Sequence, residues 1–165
     1  MQMFDDMRRS INTSDKAQVT DYLVRLLDKN AFDRAGLIYG MGHAVYSISD
    51  PRADILKESA KRLSVEKGME EEFALYETVA EVAPEIISEK RKMYKGVSAN
   101  VDFYSGMVYK MLGLPYELFT PIFAVSRIAG WSAHRLEEIQ NSGKIIRPSY
   151  ISVKGEMPYI KLSDR

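Results

Sequence analysis

Apolar residues recur at spacings of three and four along most of this chain, and that period commits it to helices that pack through one face. Val19, Tyr22, Leu23, Leu26 and Leu27 make one stripe, and Ile55, Leu56, Ala60 and Leu63 a second. Phe73, Tyr76, Val79, Val82, Ala83, Ile86 and Ile87 make a third, and Ile122, Val125, Ile128, Ala129, Ser132, Leu136 and Ile139 a fourth. The expected fold class is all-α. Met3, Phe4, Met7 and Ile11 open the chain in helical register with no capping residue ahead, so the start reads as cut from a longer helix. Ser14 is the candidate N-cap of a helix reaching about Asn30, and Asp50 and Pro51 the cap and first turn of one ending at Gly68. The next pattern runs from Met69 to Tyr94, with Pro84 expected to kink or divide it. Asn100 opens a helix stopped at Gly113, and Thr120 and Pro121 open the last, through about Gln140. Phe32 to Tyr46 keeps no period and reads as an irregular or briefly extended connection, while the segment after Lys144 reads as an extended tail.

A chain of 165 residues can hold one well-packed domain, or one domain with an appendage. Its 23 basic and 23 acidic residues leave no basic field for nucleic acid and no acidic tail. The absence of cysteine rules out disulfides, thiolate catalysis and thiolate metal ligands, and is compatible with a reduced compartment. No apolar run approaches the roughly 20 residues of a membrane span, and the start lacks a signal-peptide pattern. A cytoplasmic protein without membrane or nucleic-acid partners, metal or resident cofactor is expected.

Chemistry concentrates in Gly40–Arg52. Gly40 and Gly42 leave the backbone leading into His43 free of bulk, so the histidine can approach a small substrate. With Asp50 as cap, Arg52 falls in a first helical turn whose free N–H groups already favour an anion. The same residues also fit a glycine-softened turn with a solvent-facing histidine. In the stretch Ala99–Gly106, Asp102 sits in another first turn, where it is either a surface partner of the helix dipole or a carboxylate base in a partly dry pocket. Arg127 interrupts the fourth stripe, which suits a snorkelling side chain or a buried carboxylate anchor.

Four motifs add a resemblance. Gly-Met-Gly-His-Ala-Val-Tyr followed by Asp-Pro-Arg at 40–52, Asn-Val-Asp-Phe-Tyr-Ser-Gly at 100–106, Ser-Arg-Ile-Ala-Gly-Trp-Ser-Ala-His at 126–134 and Ile-Ile-Arg-Pro at 145–148 stand in the order and spacing of the citrate synthases, which the chain resembles over essentially its whole length. The resemblance implies a small domain at 1–113 followed by the C-terminal helix and tail of the large domain at 114–165. It implies condensation of acetyl-CoA, as substrate, with oxaloacetate through an enol to give citrate and CoA. By analogy Asp102 is the general base, His43 donates a hydrogen bond to the oxaloacetate carbonyl, and Arg52, Arg127 and Arg147 bind carboxylates, with Arg147 reaching into a partner subunit's site. Tyr46, Ser47 and Lys95 are the positions implied to contact CoA. A homodimer or higher homo-oligomer is also implied.

The departures carry their own expectations. The family's enol-stabilising histidine, in a His-Gly-Gly-Ala type turn, lies ahead of the helix with which this chain begins, as does most of the large domain. The chain by itself is therefore expected to be inactive. Ser47 stands where relatives often carry a basic residue that touches CoA phosphates. A 2-methylcitrate synthase using propionyl-CoA is one alternative, and a non-catalytic helical segment self-associating through residues 122–139 is another.

Overall fold

The computed structural model describes residues 1–92, 96–141 and 161. Their regular structure is helical: α1 (Gln2–Ser10), α2 (Lys16–Leu27), α3 (Pro51–Lys67), α4 (Glu70–Arg91), α5 (Val101–Met111), a short 3-10 turn (Tyr116–Leu118) and α6 (Phe119–Gln140). Extended pairing among the described residues is limited to one isolated antiparallel bridge between Met41 and Ala99. The chain forms two compact units, the first Met1–Phe123 and the second beginning at Ala124.

The core of the first unit follows from the stripes. α2 buries Val19, Tyr22, Leu23 and Leu26, and α4 buries Phe73, Tyr76, Val79, Ala83 and Ile86. Aromatic rings join α1, α4 and α5: Phe4 stacks on Tyr76 with centroids 3.7 Å apart, and Phe103 meets both rings edge-on at 5.5 Å. Arg8, Glu72 and Lys110 form an ion-pair chain linking the same three helices. α5 thereby has one face locked into the core through Phe103, Tyr104, Met107, Val108 and Met111. Asp102, Ser105 and Tyr109 are left on the other face.

Three local expectations are corrected, and of the two offered for Pro84 one is removed. The cap of α2 is Asp15, whose carboxylate accepts from Ala17 N and Gln18 N, one residue beyond Ser14. α3 buries Ala53, Ala60 and Ser64 while Ile55 is 70% exposed. Ile55 lies about 200° around the helix from Ala53, and the small side chains give α3 the face that can approach closely. Pro84 does not divide α4. Its missing N–H costs one backbone bond, but Val79, Ala83 and Ile86 on both sides of it are buried in the same core, so a break would expose them. Finally, the 3-10 turn runs directly into α6, whose first residue is Phe119, ahead of the expected cap Thr120.

The connection between α2 and α3 is irregular, as its lack of period suggested, and it carries positive φ at Lys29, Phe32, Arg34 and Gly36. Further along, Gly40 has φ +84°, and a Cβ there would lie 2.9 Å from the backbone Cα of Phe103. Neither the backbone angle nor the space admits a side chain. Gly40→Ala is expected to cost about 2 kcal/mol or more in urea denaturation, against about 1 kcal/mol for Gly68→Ala, where the left-handed φ is the sole penalty because the space is open.

On α6, the side chains of Ile122, Val125, Ile128, Leu136 and Ile139 are exposed, together with Trp131.

Candidate functional site

A cleft of about 490 Å³ opens in the first unit, and His43, Arg52, Asp102, Ser105 and Tyr109 are among the residues that line it. Three residues singled out from the sequence, separated by up to 59 positions, are thus brought to one cavity.

His43 is oriented from its own loop. Its Nδ1 accepts from the backbone N–H of Val45 at 3.0 Å and of Tyr46 at 3.2 Å. A ring nitrogen that accepts two amides keeps its lone pair, which assigns the ring proton to Nε2. That Nε2 lies 3.3 Å from Nη2 of Arg52. Two donors therefore face one another, an arrangement satisfied when an oxygen acceptor enters beside them. The ring of Tyr46 backs both groups, 5.0 Å from the His43 ring and 5.5 Å below the Arg52 guanidinium carbon.

Arg52 is held just as firmly. Its Nε and Nη2 donate to the two carboxylate oxygens of Asp50 at 2.9 and 2.7 Å, while its backbone N–H donates to Oδ1 at 3.0 Å. Asp50 is 1% exposed, so it both caps α3 and grips the arginine from below. The Arg52 hydrogen bond, outweighing the opposing effect of burial, holds the Asp50 carboxyl down at about 2. The folded value lies below the unfolded one, so this stabilisation is present above about pH 4 and is lost as pH falls towards 2. Asp50→Asn is expected to flatten the stability profile across that window in urea titrations taken from pH 5 to pH 2.

Asp102 occupies the first turn of α5, where the side chain of Asn100 accepts from its backbone N–H at 3.0 Å. Its side chain is exposed to the cleft, and its charge favours the ionised form of Arg52. One wall of the cleft is therefore cationic and hydrogen-donating while α5 contributes a carboxylate. Ser105 and Tyr109, one and two turns beyond Asp102 on the same face, complete that edge. Sequence reasoning passed over both, although the 102, 105, 109 spacing carries the signal.

The remaining candidates fall elsewhere. Tyr46 packs against His43 and Arg52 as described. The Ser47 backbone carbonyl lies so near Gly96 that a Cβ on Gly96 would be 2.7 Å from it. Arg127 lies on α6 in the second unit. Lys95 and Arg147 lie outside the described residues. Among the described residues, no group of His, Asp and Glu is arranged to hold a metal ion, and no helix is long and apolar enough to cross a membrane.

Comparison with known proteins bears on the family. The family model described as "Citrate synthase, C-terminal domain" matches residues 1–149. A citrate synthase of Synechocystis is 40% identical over 129 residues, covering 78% of this chain and 31% of the relative. A 2-methylcitrate synthase of Shewanella oneidensis is 36% identical over 155 residues, covering 93% of this chain and 36% of the relative. Among solved structures, the ternary complex of carboxymethyl coenzyme A and oxaloacetate with citrate synthase from Thermoplasma acidophilum matches with a TM-score of 0.66 and 28% identity, over 99% of this chain and 40% of that one. The chain thus spans between 31% and 40% of the length of these proteins.

Proposed function

Because the chain belongs to the citrate synthase family, we propose that its cleft takes oxaloacetate and acetyl-CoA, and that the intact gene product carrying these residues condenses them to citrate and CoA. The observation that carries this reading is the pair of donors, His43 Nε2 and Arg52 Nη2, 3.3 Å apart in a cleft that Asp102 also lines. A keto dicarboxylate supplies the acceptors such a pair lacks: a carboxylate for the guanidinium and a carbonyl oxygen for the imidazole N–H. The Asp50 grip and the Tyr46 ring keep the arginine in place before substrate arrives, which lowers the ordering cost of binding.

In the proposed sequence, the Asp102 carboxylate removes a proton from the acetyl methyl group, leaving an enolate whose carbon is the nucleophile. That carbon forms a bond to the oxaloacetate carbonyl carbon as the carbonyl π bond opens, and the oxygen takes up negative charge beside the His43 N–H, which gives it a proton; the proton held by Asp102 is then returned to His43 through solvent. Water then cleaves the thioester of the resulting citryl-CoA to give citrate and CoA. Arg127 and Arg147 are proposed as further carboxylate ligands, and Tyr46, Ser47 and Lys95 as the CoA-facing positions. The exposed apolar residues of α6 support assembly of this family member as a homo-oligomer.

The test is thiol release by the intact gene product with acetyl-CoA and oxaloacetate. Release that requires both substrates supports the proposal, and no release with either acyl donor sinks it. The Shewanella relative motivates a second reading, a 2-methylcitrate synthase. Comparing kcat/KM for acetyl-CoA and propionyl-CoA separates the two, since one methylene in an apolar pocket shifts the ratio by about 10- to 200-fold.

A further inference from the structure

Three of the hydrogen bonds of Asn100 reach in two directions. Its Oδ1 accepts from Asp102 N at 3.0 Å, closing the first turn of α5. Its Nδ2 donates to the Gly42 carbonyl at 2.9 Å, and its backbone N–H donates to the Gly40 carbonyl at 2.8 Å. Gly42 N–H in turn donates to Ser98 O at 2.7 Å, beside the Met41–Ala99 bridge. The residue that begins the Asp102 helix is therefore bonded to both glycines of the turn that leads into His43.

We propose that Asn100 is a positioning residue that sets the separation of His43 and Asp102 by tying the His43 loop to the first turn of α5; this rests on the reading of the cleft as a condensation site. The choice of residue argues for it. Aspartate and serine cap helices about as well as asparagine, so capping alone does not ask for an amide. The Gly42 carbonyl does, because it needs a donor while Asp102 N needs an acceptor, and asparagine supplies both from one planar group. The tether is also short and local to the site. Gly42 takes φ +89° and Gly40 +84°, so the turn whose carbonyls Asn100 holds uses backbone angles that side-chain-bearing residues rarely adopt.

Asn100→Ser and Asn100→Asp separate the two duties, since each keeps an acceptor for Asp102 N while neither carries the Nδ2 donor that reaches Gly42: the serine hydroxyl is one bond shorter, and the aspartate carboxylate has no proton to give. In the intact gene product both variants are expected to melt within about 4 °C of the parent. Their kcat for thiol release should fall about 10- to 100-fold, Asp more than Ser because it sets an anion against the Gly42 carbonyl, while KM for oxaloacetate moves less than threefold. Amide hydrogen exchange is read in parallel: Gly42 and His43 should exchange at least tenfold faster in Asn100→Ser, with the α5 interior unchanged. If kcat and the Gly42 exchange both stay within twofold of the parent, the positioning role is wrong. If kcat falls and exchange quickens only together with a large drop in melting temperature, Asn100 is merely structural and the proposal is likewise overturned. Should the parent itself release no thiol, the condensation reading fails separately, and the exchange comparison still decides whether the tether exists.

Discussion

Asp102→Asn in the intact gene product is expected to cut citrate formation by about 10²- to 10⁴-fold while oxaloacetate affinity stays within about threefold. Asparagine matches the carboxylate in shape but cannot accept the methyl proton, so the loss falls on the step that makes the nucleophile. Binding of the keto acid is expected to survive because Arg52 takes its ordering from Asp50, with contacts of 2.7 and 2.9 Å that the substitution leaves alone. The fold should also survive. Asp102 is exposed in a first turn, so removing its charge costs only the dipole contribution of about 0.3–1 kcal/mol. Thiol release measures the rate, and loss of deuterium from methyl-labelled acetyl-CoA in the presence of oxaloacetate reads proton abstraction directly. A variant within tenfold of the parent in both assays would remove Asp102 from the role of base.

What the sequence made legible here follows the range of each interaction. The faces of α2 and α4 could be read from period alone because their inward positions carry large side chains, Tyr22, Leu23, Phe73 and Tyr76, whose burial outweighs local detail. α3 misled on Ile55, since the face it buries is chosen by how closely small residues let its neighbours approach, and a single helix's pattern does not encode that choice. Capping was readable at Asp50 and Asn100 because it acts over two residues. The further work of both side chains was not. The Asp50 grip depends on the rotamer of Arg52, and the Asn100 bond spans 58 positions to Gly42. The site residues announced themselves through glycines and charges, whereas Ser105 and Tyr109 needed the orientation of α5 to be known first.

That orientation depends on Tyr76, whose truncation should have the largest effect on stability. Its side chain is fully buried, stacked on Phe4 and touched edge-on by Phe103, the residue next to Asp102. Tyr76→Ala is expected to cost about 3–5 kcal/mol in urea denaturation, a sizeable share of the roughly 5–15 kcal/mol that holds a domain together. Tyr76→Phe keeps the stack and removes only a hydroxyl that donates to the Met1 sulfur, so it should cost no more than about 1.5 kcal/mol near neutral pH. The two variants also diverge in alkali. Burial pushes the Tyr76 phenol well above its ordinary value, so above about pH 10 the unfolded chain ionises it while the folded core keeps it neutral, and stability falls as pH rises. Tyr76→Phe should flatten that alkaline slope, with Tyr22, whose phenol burial also raises, supplying part of what remains. If Tyr76→Ala cost less than about 1.5 kcal/mol, the ring stack would not be what anchors α5, and the buried aliphatic residues Met107, Val108 and Met111 would have to set the position of Asp102 instead.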